Sequence, residues 1–251
     1  MGKYFKLFET HAEYEAYIAQ RDKTLPNISY CLDYEESHFN PLPAETRVVA
    51  TFNVATTSAP TKILNNTSSF TKVEVDDIEK ASIETGHTFD TTGEHEVKYT
   101  LSDPTSIGAG AFTSCSALEN VKIPKGVETI DENAFMACTS LDSVVIPNSV
   151  TSIGNSAFNG CSDLTSVIIP EKVASIGSNA FNGCSNLSTI KSLSENAPII
   201  SSNTFEGVGQ EGILLVPNES TGYDVWMQDA EFYLGEYDWS DNIPWVTDEG
   251  L

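Results

Sequence analysis

Four of the five cysteines, Cys115, Cys138, Cys161 and Cys184, are spaced 23 residues apart. Each is followed by a hydroxyl residue, as in Asn159-Gly160-Cys161-Ser162. Such a setting invites a nucleophile reading. A catalytic thiolate needs a neighbouring imidazole or another cation to lower its pKa, and residues 96–251 contain no histidine. No Cys-x-x-Cys pair exists, so a zinc site of the usual spacing is absent. The stretch Gly207-Val208-Gly209-Gln210-Glu211-Gly212 has the letters of a phosphate-binding loop. That loop follows a strand and opens a helix, whereas this one precedes the strand-like residues 213–216. Walker loops, Gly-x-Ser-x-Gly elbows and His-Glu-x-x-His are missing. His38 beside Glu35 and Glu36 reads as a solvated loop. Asp238, Asp241, Asp248 and Glu249 lack EF-hand spacing and read as a solvated rim. No catalytic residue, metal or cofactor is expected, and the chain does not read as an enzyme.

The spacing itself is the stronger signal. Ile107, Ile130, Ile153 and Ile176 recur at the same step. So do Phe112, Phe135, Phe158 and Phe181, then Leu118, Leu141, Leu164 and Leu187, and Val121, Val144, Val167 and Ile190. Pro124, Pro147 and Pro170 close three of the units. A fifth unit starts in phase at Ile199, then carries one inserted residue, after which Phe205, Val208, Leu214 and Val216 follow. A period of 23 falls among the repeats that stack into solenoids. In each unit a short strand such as Val144-Val145-Ile146 ends at a proline, which has no N–H to give a ladder. Val144 and Ile146 point to one face and Val145 to the other. Phe135, Cys138 and Leu141 line the inside of the return arm. The cysteines thus read as small buried rungs. One coil cannot bury its own apolar face, so neighbours must stack.

Alternating runs at 48–54, 71–75 and 95–101, separated by turn-rich breaks such as Asn65-Asn66-Thr67-Ser68-Ser69, predict a β-sandwich-like domain over 47–104. It is expected to cap the open end of the solenoid over 105–217. Residues 1–46 read as a small α/β base or attachment module: a strand at 3–8, a helix opened by the capping box Thr10-His11-Ala12-Glu13, and a strand at 27–32. Residues 218–251 read as an acidic aromatic C-terminal cap carrying Tyr223, Trp226, Phe232, Tyr233, Tyr237, Trp239 and Trp245. The predicted fold is mainly β, with the solenoid as its principal part.

The net charge is −23. Nucleic-acid binding draws on Lys and Arg to displace phosphate counterions, so this charge argues against it. It argues equally against adhesion to an anionic membrane. No apolar run of membrane-spanning or signal-peptide length is present, so the chain as written reads as neither spanning nor Sec-exported.

The unit Ile-Gly-Asn-Ser-Ala-Phe-Asn-Gly-Cys-x-x-Leu-x-x-Val-x-Ile-Pro resembles the BspA-like, Treponema-type leucine-rich repeat family over about residues 105–217. The resemblance implies a curved, non-enzymatic solenoid that binds proteins or surfaces, commonly as an adhesin of oral and gut bacteria. The opening YFKLFETHAEYEAYI with LPNISYC is similar to a leader module of gut Bacteroidales and phage proteins. That resemblance implies an attachment base on a virion. The reading is therefore a binding protein, carried on a phage particle as an accessory or receptor-contacting protein. A bacterial surface adhesin and a purely structural spacer are the alternatives. The expected partner is a protein or glycan surface, with the chain on the virion or, with an export signal, on the cell. The register leaves Lys122, Val145, Ile168 and Lys191 facing outward, beside Asn120, Ser143, Ser166 and Thr189. These eight are the candidate contact residues, Val145 and Ile168 at their centre, and the same phase turns Leu215 outward after the insertion.

Overall fold

The computed structural model describes residues 47–201, 203–209, 212–217 and 220–227, and the backbone of 239–241. All of them belong to the compact unit Leu42–Leu251. The α/β module expected over 1–46 lies outside the described residues, as do Phe232, Tyr233, Tyr237, Trp245 and the acidic residues 238, 248 and 249.

The N-terminal part carries β1 (Arg47–Val54), β2 (Thr61–Lys62), β3 (Phe70–Val75), β4 (Ile78–Glu79), β5 (Gly86–His87) and β6 (Gly93–Leu101). The coils carry β7 (Ser106–Ile107), β8 (Leu118–Lys122), β9 (Thr129–Ile130), β10 (Ser143–Val145), β11 (Ser152–Ile153), β12 (Ser166–Ile169), β13 (Ser175–Ile176), β14 (Thr189–Ser192), β15 (Gly212–Leu215) and β16 (Trp239–Asp241). The two longest strands, β1 and β6, alternate strictly. β1 buries Val48, Ala50, Phe52 and Val54 and leaves the residues between them outward.

Stacking is set by the repeat. The N–H of Phe112 donates to Ala134 O at 2.7 Å, Phe135 to Ala157 O at 2.7 Å, and Phe158 to Ala180 O at 2.8 Å. The phenyl rings follow. Phe112, Phe135, Phe158, Phe181 and Phe205 stack at centroid distances of 5.2, 5.2, 5.3 and 5.8 Å. That is close to the spacing of hydrogen-bonded strands, roughly 4.8 Å. Trp226 covers one end of the ring column at 5.2 Å, and Tyr99 and Phe70 cover the other at 5.1 and 5.4 Å. Ala134, Phe135, Cys138 and Leu141 are fully buried, as are their equivalents in the coils on either side, and Val127, Val150 and Val173 add a further inward column.

The expected sandwich-like domain contains two sheets, and the larger is shared with the solenoid. The two-stranded sheet β2–β5 lies over the inner side of β6, where Tyr99 Oη donates to Ile63 O at 2.6 Å. The six-stranded sheet runs β10-β8-β1-β6-β3-β4. β1 pairs antiparallel with β8, so hydrogen bonding crosses the expected boundary at residue 104. The strand face then continues as β12-β14-β15-β16. Ladder pairing lapses between β10 and β12, where the flanking bond from Thr165 N to Asp142 O is 3.5 Å long. A second parallel sheet, β13-β11-β9-β7, runs along another side of the coils.

The fifth unit corrects the sequence register. Ile199 is 75 % exposed and bridges to Ser175, not to Ile176. The inserted residue falls before it, so Ile200, packed against the core, holds the rung expected of Ile199.

Candidate functional site

The thiols are spent on structure. Cys138 Sγ donates to Phe112 O at 3.1 Å, Cys161 to Phe135 O at 3.2 Å, and Cys184 to Phe158 O at 3.2 Å. Each cysteine thus ties its coil to the one before. Burial pushes the Cys138 and Cys184 thiols up to about 12 and holds Cys115 and Cys161 well above the usual thiol range. A thiolate nucleophile at neutral pH is therefore disfavoured at all four.

A hydroxyl–imidazole–carboxylate chain does exist in the β-domain. His95 Nδ1 lies 2.7 Å from Asp76 Oδ2, and its Nε2 lies 3.2 Å from Thr91 Oγ1. The same Nε2 faces Thr91 O at 3.0 Å, and the ring is buried against Phe89 at a centroid distance of 4.4 Å. Thr91 lines neither the depression along β9, β11 and β13 nor the one beside Asn66 and Asp103. The trio pins the turn before β6 to the turn between β3 and β4. No group of three metal-ligating side chains occurs among the described residues. Gly212 opens strand β15, so the glycine-rich stretch leads into a strand and opens no helix.

The exposed strand face is the remaining candidate. The structure brings its eight residues into two rows. Val145 pairs with Lys122 and Ile168 with Lys191 in register, and Ser143 pairs with Asn120 and Ser166 with Thr189. Ser143 Oγ hydrogen-bonds to Asn120 Oδ1. Val145 is 43 % exposed and Ile168 38 %, with Val144 and Val167 turned inward between coils. The two exposed side chains flank the lapse in ladder pairing between β10 and β12.

The repeat phase alone turns Leu215 outward, whereas it does not name Val49, Thr51 or Ile213. Val49 pairs with Lys122 on one side and Lys98 on the other, and Thr51 pairs with Asn120. The β-domain therefore extends both rows. At the far end Ile213 stands beside Thr189 and Leu215 beside Lys191. The alternation in β1 marked Val49 and Thr51 as outward, but nothing in it names β8 as the partner strand. Toward β4 the face closes with ion pairs: Arg47–Glu74 at 2.7 Å, Lys72–Glu79 at 3.1 Å and Lys98–Asp77 at 2.6 Å. Such exposed pairs contribute little stability, but they fill that end of the face with satisfied charge.

The solenoid carries charge of both signs on its strand side, with Glu119 in β8, Asp142 just before β10 and Glu171 beside Lys172. Its four described lysines are Lys122 and Lys191 on the strand face and Lys125 and Lys172 in the turns just after the strands. The residues flanking β9, Glu128 before it and Asp131 and Glu132 after it, include no cation. An open depression of about 550 Å³ runs along that side, lined by Asp131, Glu132, Asn155 and the close-packed Gly154 and Gly177. Asp131 is occupied there by Ser106 Oγ and Thr129 Oγ1 at 2.8 and 3.0 Å.

Comparison with known proteins gives one family. The model of the BspA type leucine rich repeat region matches residues 101–220 in six copies. No curated protein matches. Two solved structures are similar. A leucine-rich repeat protein from Bacteroides ovatus is 22 % identical, over 63 % of this chain and 44 % of its own, with a TM-score of 0.34. The Treponema pallidum leucine-rich repeat protein is 20 % identical, over 57 % of this chain and 80 % of its own, with a TM-score of 0.35. This chain spans less than half the length of the Bacteroides ovatus protein.

Proposed function

We propose, for a chain whose residues 101–220 belong to the BspA type leucine-rich repeat family, that its strand face is a non-enzymatic binding surface for another protein. Repeats of this family suit protein binding and surface interaction, and the stacked strands of a solenoid offer one extended face for it. The observation that carries the reading is the adjacent outward pair Val145 and Ile168. Polar residues at those two positions serve folding equally well, as Ser143 and Ser166 show one row away.

The finer reading is display at a surface, on a phage particle or on a bacterial cell. The repeat family supports surface display. The virion setting rests on the leader resemblance alone, and those residues lie outside the described ones. Immunogold labelling of particles and of intact cells separates the two.

The binding reading is tested with purified full chain on a panel of immobilised cell-surface and matrix proteins. Wild type should be retained on at least one of them, and the double variant Val145→Glu/Ile168→Glu should not. Equal retention of the two proteins overturns the assignment of the face.

A further inference from the structure

The strand face has a chemical pattern that specifies its ligand more narrowly. Its central row reads Lys98, Val49, Lys122, Val145, Ile168, Lys191, Leu215 across successive strands, each neighbour set by register or, at Val145 and Ile168, by repeat phase. Two aliphatic side chains are thus bracketed by two cations, Lys122 and Lys191. Among the described residues no aromatic side chain stands in either row, and aliphatic and cationic groups make up the centre of the face. The second row, Asn120, Ser143, Ser166 and Thr189, supplies hydroxyls and an amide at roughly 7 Å, two residues away along each strand.

We infer that this face binds an extended, acidic segment of a partner protein, laid across the strands with a carboxylate on either side of one apolar residue. The inference rests on the reading of the strand face as the binding surface. The spacing supports it. Lys122 and Lys191 are three strand steps apart, roughly 14 Å. An extended chain advances about 3.3 Å per residue and shows alternate side chains to one side. Residues i, i+2 and i+4 of such a segment therefore face the solenoid over about 13 Å. Acidic residues at i and i+4 meet Lys122 and Lys191, and an apolar residue at i+2 settles between Val145 and Ile168. Both lysines already take part in interactions within the chain, so the incoming carboxylates add to these or exchange with them. The net charge of −23 opposes an acidic ligand at long range. That repulsion is largely screened beyond about 8 Å at physiological ionic strength, whereas charges in direct contact are screened less.

The experiment is selection from a displayed random nonapeptide library on immobilised full chain, in parallel with Lys122→Glu/Lys191→Glu and Val145→Glu/Ile168→Glu. Cooperative melting of each variant is confirmed first. Wild type should enrich acidic-x-apolar-x-acidic peptides. The lysine double variant should bind those peptides about tenfold more weakly, two exposed ion pairs being lost, and should enrich basic flanks instead. Enrichment of basic or neutral peptides by wild type, no enrichment, or unchanged peptides on the lysine variant overturns the inference. The parent reading fails separately: it is overturned if the selected peptides, whatever their charge, bind Val145→Glu/Ile168→Glu as well as they bind wild type.

Discussion

Phe135 and Phe158 stack with ring centroids 5.2 Å apart and planes 4° from parallel. Because the ring step is close to the strand step, the rings form one continuous column, and a missing ring leaves a gap that neither neighbour can fill. Phe158→Ala should therefore cost about 3–5 kcal/mol of unfolding free energy, the usual loss for a fully buried phenylalanine. Urea unfolding followed by circular dichroism reads it. A loss below about 1 kcal/mol contradicts a continuous packed column.

The cysteine rungs make stability pH-dependent. An unfolded cysteine ionises near 8.5, whereas burial holds Cys138 and Cys184 up to about 12 and Cys161 well above its usual range. Below the unfolded value both states keep the proton and the contribution is complete. Above it the unfolded chain loses thiol protons that the folded chain retains, so stability falls as pH rises toward the folded values. Each thiol adds about 1.4 kcal/mol of loss per pH unit in that window. The urea midpoint should drop steeply from pH 9 to 11, and Cys161→Ala should shrink the slope by one such increment. An identical slope in wild type and variant contradicts the buried-rung account.

Left-handed backbone recurs in a column formed by Ser114, Ala137, Gly160, Gly183 and Gly207, with φ of 60°, 58°, 73°, 71° and 71°. Alanine is strained in that region by roughly 1–2 kcal/mol. Ala137→Gly should raise stability by about 1 kcal/mol after the entropy of the unfolded glycine is offset. The opposite change at Gly154 should be costly. A Cβ there stands 2.7 Å from the Asp131 carbonyl carbon and the Glu132 nitrogen, and overpacking against backbone costs about 1–3 kcal/mol or more. Thermal midpoints of the two variants should move in opposite directions. A shared direction refutes the distinction.

The inward columns were legible because every coil solves the same packing problem with the same residue at the same step. Phe135, Cys138 and Leu141 could be assigned without coordinates. The end caps were legible as regions, but not their individual contacts, since each occurs once. Asn65 and Asn66 read as a turn-rich break, yet they satisfy the carbonyls that the first coil has no predecessor to pair with. Their N–H groups donate to Ala111 O at 2.7 and 3.3 Å, and Asn66 Nδ2 donates to Ala109 O at 3.0 Å. A capping amide leaves no periodic trace. Ile199 failed for a related reason: adjacent isoleucines at 199 and 200 allow two registers, and the Ser175–Ile199 bridge, which leaves Ile199 exposed, selects Ile200 as the rung. For the candidate face, the repeat phase was enough to find Val145 and Ile168. It could not find Val49, which enters through an antiparallel pairing that the repeat does not encode.

Placing glutamates at Val145 and Ile168 should leave the fold standing. Both side chains are more than a third exposed, and like charges on neighbouring strands cost roughly 0.2–1 kcal/mol. A melting transition of unchanged cooperativity is the expected result. Collapse of the transition would mean that these residues serve packing more than contact.

The claim that the strand face is where this protein meets its partner is tested most directly by backbone amide exchange on the full chain, with and without a protein that it retains. Protection should gather on residues 120–122, 143–145, 166–168 and 189–191, the two rows of the face. A footprint on residues 131–132, 154–155 and 177–178, along the acidic depression on β9, β11 and β13, would contradict it.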